Sequence, residues 1–465
     1  LILASLSVAG CGVTRPGLAL QTSRSAGSSE AGSILQARLL APVGDATVRS
    51  AQPDEKVVQP DGELSVDALI ADVLARNPNL AQMVAAWQAA SSKYPQVRSL
   101  DDPMLGAMFA PSSFGSSSVE SGYRIEVSQK IPFPGKLRLR GQGALAEADA
   151  AQSDIEDMRI QLIESARLAF FEYYLVDRAI AVNEEALRLL GEFKQTAESR
   201  YKTGLAPQQD VLQADVEVGR QRERAVTLER MRKVAAARIN TLRSLPPDEP
   251  LAKPPQNLKV VPEPRAVASL RDFALAQRAD LKAIQDRIAV EEAALKLALR
   301  EYYPDVELAA AYDTIMGNGP MRDLAPQVGL RMNLPVRYAR RHGAVAEAQA
   351  KIAQRHAEYA GRANQIQFQV QEAHEQLLES ERVLALYEKT ILPAARENVK
   401  AAQAAYVTGK TPFLSLIEAQ RNLVNLRDRN YEATADYFRR QATLERVIGG
   451  PVSAAGEPIR TAPKK

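Results

Sequence analysis

The feature that most constrains this sequence is a turn that it makes twice. Tyr201 to Ala214 reads YKTGLAPQQDVLQA, and Tyr406 to Ala419 reads YVTGKTPFLSLIEA. Each Y-x-T-G-x-x-P follows a helical pattern of unusual length. Other matches keep the same order at an offset near 200 residues. Ala75–Leu80 (ARNPNL) matches Ala276–Leu281 (AQRADL), and Asp102-Pro103 falls opposite Tyr303-Pro304. Ile131-Pro132 matches Leu334-Pro335, and Gly143–Ala148 (GALAEA) matches Gly343–Ala348 (GAVAEA). Ordered matches at a near-constant offset are the mark of a tandem duplication. The copies span 64–245 and 267–450, with a Pro-rich linker over 246–266.

Each copy has the same internal layout. A first helix is expected over roughly 65–97 and 268–301, followed by two strands. In the second strand, Tyr123, Ile125, Val127 and Ile131 alternate with Arg124, Glu126, Ser128 and Lys130. Its counterpart sets Val328, Leu330, Met332 and Leu334 against Gln327, Gly329, Arg331 and Asn333. Period-two alternation gives one apolar and one polar face. A soluble sandwich would turn the apolar face inward, and a membrane barrel would turn it to lipid; alternation alone fits both.

A long helical stretch then runs from Leu137 to Lys202 without an internal proline. Leu162, Ala166, Ala169, Tyr173, Val176 and Ile180 recur at three- and four-residue steps, a coiled-coil-like spacing. At 1.5 Å per residue such a helix is about 100 Å long. The second copy repeats it from Ala339 to Thr408, where Pro393 predicts a break or kink. Gly204 and Gly409 suit a left-handed helix C-cap, and Pro207 and Pro412 suit the start of the returning helix.

The termini are of another kind. LILASLSVAG precedes Cys11, the only cysteine. The run reads as part of an export signal over 1–10. Val8-Ala9-Gly10-Cys11 resembles the bacterial lipobox, which makes Cys11 the expected lipidation site. Residues 11–63 are rich in Ser, Gly and Ala and read as an extended tether, and 451–465 as a flexible tail. A net charge of +3 gives no bulk electrostatic case for a nucleic-acid partner. No apolar run is long enough for a transmembrane helix. His342, His356 and His374 lack metal-binding spacing, and no phosphate loop or nucleophile motif occurs. The residues name no cofactor, no metal site and no catalytic group, so an enzyme is not expected.

Helices of about 100 Å do not fit a compact globule. Four strands are too few for a barrel, since single-chain bacterial barrels begin at eight. An open sheet leaves unpaired edges, so strands from further copies are expected to close it. Three copies in cyclic symmetry would supply twelve.

The chain resembles the TolC-like outer-membrane efflux factors over residues 64–450. The resemblance rests on the paired turns and on Ile131–Leu137 (IPFPGKL). That segment, the lipobox-like start and TGKTPFLSLIEAQRNL at 408–423 are similar to the CusC/CzcC-like cation-efflux branch. The resemblance implies a mainly α fold with a small β part. It implies a homotrimer whose twelve-strand outer-membrane barrel continues into a long α-helical periplasmic barrel. Gly12 after the cysteine implies delivery to the outer membrane. The implied role is a passive exit duct of a tripartite pump, with a periplasmic adaptor and an inner-membrane transporter as partners. Heavy-metal cations are the implied cargo, with drugs or other small molecules as the alternative. A lipid-anchored periplasmic coiled-coil scaffold is the alternative of another class.

The same resemblance assigns Tyr201, Thr203, Gly204, Pro207, Tyr406, Thr408, Gly409 and Pro412 to adaptor-docking hairpin tips. It assigns Asp210, Ser415 and Glu418 to a periplasmic constriction. Three copies of Glu418 about an axis would form an acidic ring of the kind that favours cations. Ser415 departs from the acidic residue that the pattern leads one to expect.

Overall fold

The computed structural model describes residues 62–110, 121–260, 266–316, 322–323 and 326–452. All of these belong to one unit, Val57–Lys465. Cys11, most of the expected tether and residues 453–465 of the expected tail lie outside the described residues.

The first helix of each half is broken. In the first half it becomes α1 (Val66–Arg76), α2 (Pro78–Ser91) and α3 (Lys93–Arg98). In the second half it becomes α6 (Val267–Gln277) and α7 (Ala279–Arg300). The first break in each falls at matching residues of similar backbone: Asn77 has φ −68 and ψ 123, and Arg278 has φ −64 and ψ 123. Pro78 accounts for one break, because the residue before proline is driven out of the helical region. Arg278 has no such cause in its own sequence. Its guanidinium pairs with Asp280 at 2.8 Å and donates to the Val447 carbonyl at 3.0 Å, contacts a continuous periodic pattern does not announce.

Strands follow. β1 (Met104–Ala110) and β2 (Ser121–Ile131) belong to the first half. β3 (Val306–Met316), the two-residue β4 (Arg322–Asp323) and β5 (Gln327–Met332) belong to the second. All pairings are antiparallel, and β2 against β3 joins the halves with Ile125 opposite Tyr312 and Ile131 opposite Val306. The register puts Leu105, Ile125, Val127, Leu308, Val328 and Leu330 on one face. The other face carries Arg124, Glu126, Glu307, Asp313 and Arg331, linked by pairs such as Arg331–Glu126 at 2.5 Å and Arg124–Glu126 at 3.2 Å. Leu105 is 74% and Val328 87% exposed, so among the described residues no second sheet covers the apolar face. Among the described residues a sandwich is therefore not formed. The outer edges of β1 and β5 have no partner strand among the described residues.

The long helices are α4 (Lys136–Lys202), α5 (Gln208–Leu242), α8 (Tyr338–Leu386), α9 (Leu392–Val407) and α10 (Phe413–Ile448). Near Pro393, where a break or kink is expected, the α-helix is interrupted without the chain leaving the helical path. A π-helical turn at Tyr387–Ile391 joins α8 to α9. Such a wider turn relieves the clash between a proline ring and the preceding carbonyls. α4 packs against α5, α7 and α10. One core gathers Leu69, Val73, Phe170, Tyr174 and Ile239, and a second gathers Leu270, Leu281, Ile366 and Ile448. The described start of the Pro-rich linker packs on the first half: the Leu64 amide donates to the Lys253 carbonyl at 2.8 Å, and Ala252 is buried in the first core.

The strand-to-helix corner is built across the halves. Gly135 takes φ 94, which L-side chains disfavour, and turns the chain from β2 into α4. Lys136 then lies fully buried, with Nζ 2.8 Å from Asp305 Oδ1. The Phe133 amide donates to the same oxygen at 2.8 Å, and the Phe133 ring stacks on Tyr303 at 4.6 Å. A buried ammonium requires such a charged, hydrogen-bonded partner.

Candidate functional site

The repeated turns are the most informative local structure. At the end of α4, Gly204 donates to the Tyr201 carbonyl at 3.0 Å and Leu205 to the Arg200 carbonyl at 2.8 Å. At the end of α9, Gly409 donates to Tyr406 at 3.0 Å and Lys410 to Ala405 at 2.9 Å. Both glycines have φ 72. This pair of bonds satisfies the last helical carbonyls and needs a left-handed residue, hence glycine. The threonines have a shared role: Thr203 Oγ1 donates to the carbonyls of Ser199 (3.1 Å) and Arg200 (3.0 Å), and Thr408 Oγ1 to those of Ala404 and Ala405 (both 3.1 Å). Pro207 and Pro412 sit at the N-caps of α5 and α10.

The two tyrosines part company. Tyr201 is 46% exposed, and Tyr406 is 3% exposed. Tyr406 packs on Phe413 with ring centroids 5.2 Å apart, in a cluster with Leu190, Phe193, Ala197 and Ala214 of the first half. Its hydroxyl donates to Asp210 Oδ2 at 3.1 Å. Burial, with the Asp210 carboxylate beside it, pushes the Tyr406 phenol up to about 12. Its side chain therefore belongs to the joint between the hairpins and not to an exposed tip.

Arg200 completes the joint. Its guanidinium lies 5.0 Å over the Tyr406 ring and donates to the Val407 carbonyl and, at 3.2 Å, to the Leu205 carbonyl. One side chain thus caps carbonyls of both turns. Further along, Arg421 Nε donates to Glu217 Oε2 at 2.8 Å and its Nη2 to Oε1. The Arg421 hydrogen bonds hold the Glu217 carboxyl below its ordinary range, despite burial. Arg224–Asp428, Arg427–Glu185 at 2.7 Å and Arg446–Glu164 at 2.7 Å carry the same stitching along α10.

Sequence reasoning missed Arg200, Glu217 and Arg421. The available signal was a mismatch inside the matched turns, where Arg200 stands opposite Ala405. Of the expected constriction residues, the structure brings Asp210 to Tyr406. Ser415 and Glu418 lie instead on the second hairpin, lining a groove between α9 and α10, with Glu418 exposed. Among the described residues no group of three or more His, Cys, Asp or Glu is placed to hold a metal ion. Nor is any described helix long and apolar enough to cross a membrane.

Comparison with known proteins gives a consistent picture. The family model described as outer membrane efflux protein matches residues 69–243 and 270–450. The cobalt-zinc-cadmium resistance protein CzcC of Cupriavidus metallidurans is 23% identical over 414 residues, covering 83% of this chain and 90% of that protein. Toxin and drug export protein A of Aggregatibacter actinomycetemcomitans is 22% identical over 218 residues, 44% of this chain and 48% of its own. The chain also aligns with about half (52%) of an uncharacterized protein of Haemophilus influenzae, at 24% identity. Among solved structures, CusC superposes with a TM-score of 0.71 at 16% identity, over 85% of this chain and 96% of that one. VceC of Vibrio cholerae superposes with a TM-score of 0.69 at 20% identity, over 83% and 96%.

Proposed function

Because the chain belongs to the outer membrane efflux protein family, whose members are passive channels and not enzymes, we propose that it is the exit duct of a tripartite efflux pump. The observation that carries this reading is the sheet. Among the described residues one face is apolar and uncovered, the other is lined by ion pairs, and two edges have no partner strand, at the end of helices about 100 Å long. An apolar face turned to lipid and a charged face turned to water is the pattern of a membrane barrel.

In this reading the halves are tandem copies, β4 and β5 count as one strand because they pair with successive stretches of β3, and three chains close a twelve-strand barrel. Their hairpins form the periplasmic tube below it. The turns at 203–207 and 408–412 face a periplasmic adaptor that links the duct to an inner-membrane transporter. Tyr201, Thr203, Gly204, Pro207, Thr408, Gly409 and Pro412 contribute to that end, and Tyr406 supports it from within. Three copies of Glu418 form an acidic ring near the narrow end. Lipid on Cys11 tethers the chain to the outer membrane. Heavy-metal cations are the proposed cargo, on the strength of similarity to CzcC over most of both chains.

The test is the mass of the full-length protein extracted from outer membranes in mild detergent, with electron microscopy of the particle. Three chains in a hollow tube support the duct. A single chain or a two-chain rod, released without disrupting the membrane once lipid is removed, leaves a periplasmic scaffold instead. For cargo, cells lacking the protein are expected to become sensitive to cobalt, zinc or cadmium; sensitivity to drugs alone overturns the cation assignment.

A further inference from the structure

Midway along the first hairpin, α4 and α5 leave a cavity of about 260 Å³ between them. Ile180 and Leu187 of α4 and Ala225 and Leu228 of α5 form its apolar walls, and Arg232 borders it. Asn183 lines it too, at 1% exposure. The Asn183 Nδ2 donates to the Gln221 carbonyl at 3.2 Å, which fixes the amide and leaves Oδ1 without a partner among the described residues. Asn183 precedes Thr203 by 20 residues, about 30 Å along the helix, so the cavity is separate from the turns. α10 packs on another face of α4, where Val182 and Ala186 meet Val424. The second half differs at the matching position. In the register that sets Tyr201 on Tyr406, Arg232 corresponds to Tyr437 and Leu228 to Ala433. Tyr437 is 3% exposed and meets Phe438 edge-on, with ring centroids 5.3 Å apart. One half therefore buries a phenol ring where the other carries Arg232 beside a cavity.

We propose that the cavity between α4 and α5 is a binding site for a small neutral phenol. Apolar walls with a single polar group favour a ring over a charged molecule. A buried acceptor that lacks a donor costs free energy. A phenol hydroxyl supplies that donor to Asn183 Oδ1, whereas a carboxylate supplies none. Arg232 borders the same space, and an aromatic face attracts a cation. An apolar cavity of about 150 Å³ binds benzene, so one of about 260 Å³ admits a single substituted ring. The ligand touches both arms of the first hairpin at once, and its occupancy holds them together by mass action. The site is complete within one chain, and it does not depend on how copies assemble.

The full-length chain in mild detergent, titrated with 4-fluorophenol at neutral pH and followed by fluorine NMR, tests the site. Each signal is corrected for the probe's partition into empty detergent. Saturable binding is expected. Fluorobenzene, the same ring without a donor, is expected to bind about tenfold more weakly, the size of one hydrogen bond. The variant Asn183→Leu is expected to weaken 4-fluorophenol binding by a similar factor. Ala225→Phe, which places a ring in the cavity, is expected to abolish saturable binding while keeping the native circular dichroism. No saturable binding to the native chain overturns the site. Binding that survives Ala225→Phe undiminished puts the probe elsewhere and overturns it equally. Equal affinity of the native chain for 4-fluorophenol and fluorobenzene overturns the phenol class and the role of Asn183.

Discussion

The Tyr406 hydroxyl donates to Asp210 Oδ2 at 3.1 Å, and so a residue at one hairpin turn is held by a residue just past the other. The phenol must stay protonated for this bond. Burial and the neighbouring carboxylate raise its pKa to about 12 from an ordinary 10.0. A raised folded-state value means that the contribution is complete below pH 10 and is lost as pH climbs through about 12. The difference in tyrosinate absorbance between the native chain and Tyr406→Phe is expected to titrate in that upper window. A difference centred at 10 would mean that the hydroxyl is solvated.

The Glu217–Arg421 pair has the opposite sign. Hydrogen bonds from Arg421 lower the Glu217 pKa from 4.5, so its contribution is present above that value and fades as acid carries pH through the lowered one. Glu217→Gln is expected to cost about 2 kcal/mol, within the range for hydrogen bonds to charged groups. It is also expected to flatten the acid limb of hairpin stability below pH 4.5. Chemical denaturation across pH, read on the native chain and the variant, gives both quantities. An unchanged acid limb would place the sensitivity elsewhere.

Lys136 is fully buried against Asp305 at the corner between strands and helices. Removing one partner of a buried ion pair leaves the other charge uncompensated, at about 3 kcal/mol or more. Lys136→Met is expected to lower the unfolding free energy by that amount in chemical denaturation, and Lys136→Met/Asp305→Leu to recover a large part of it. Equal losses in the two variants would show that packing, and not the stranded carboxylate, sets the cost.

The sheet faces predict unequal tolerance. Val127→Arg lies on the apolar face, where a lipid environment makes arginine cost about 2–4 kcal/mol near the membrane midplane. Gln327→Arg lies on the charged face, and a change within about 0.5 kcal/mol is expected there. Folding into phospholipid vesicles against denaturant measures both. Equal tolerance would argue against lipid on the apolar face.

The sequence by itself determined the local structure. Glycine and proline placed both turns, because only a left-handed residue closes such a helix end and only a fixed φ opens the next one so readily. Unbroken three- and four-residue periodicity placed α4 within a residue of its observed start. Period-two alternation placed β2 and β5 and their faces. What the sequence left open was decided by contacts between residues far apart in the chain. Alternation could not say whether the apolar face was covered; the register of β2 on β3 and the lack of a covering layer among the described residues did. Two tyrosines in matching motifs could not be told apart until Arg200, Asp210 and Phe413 closed around one of them. Periodicity and turn chemistry act within a few residues, whereas burial depends on which distant surface arrives, and that is a property of the assembled fold.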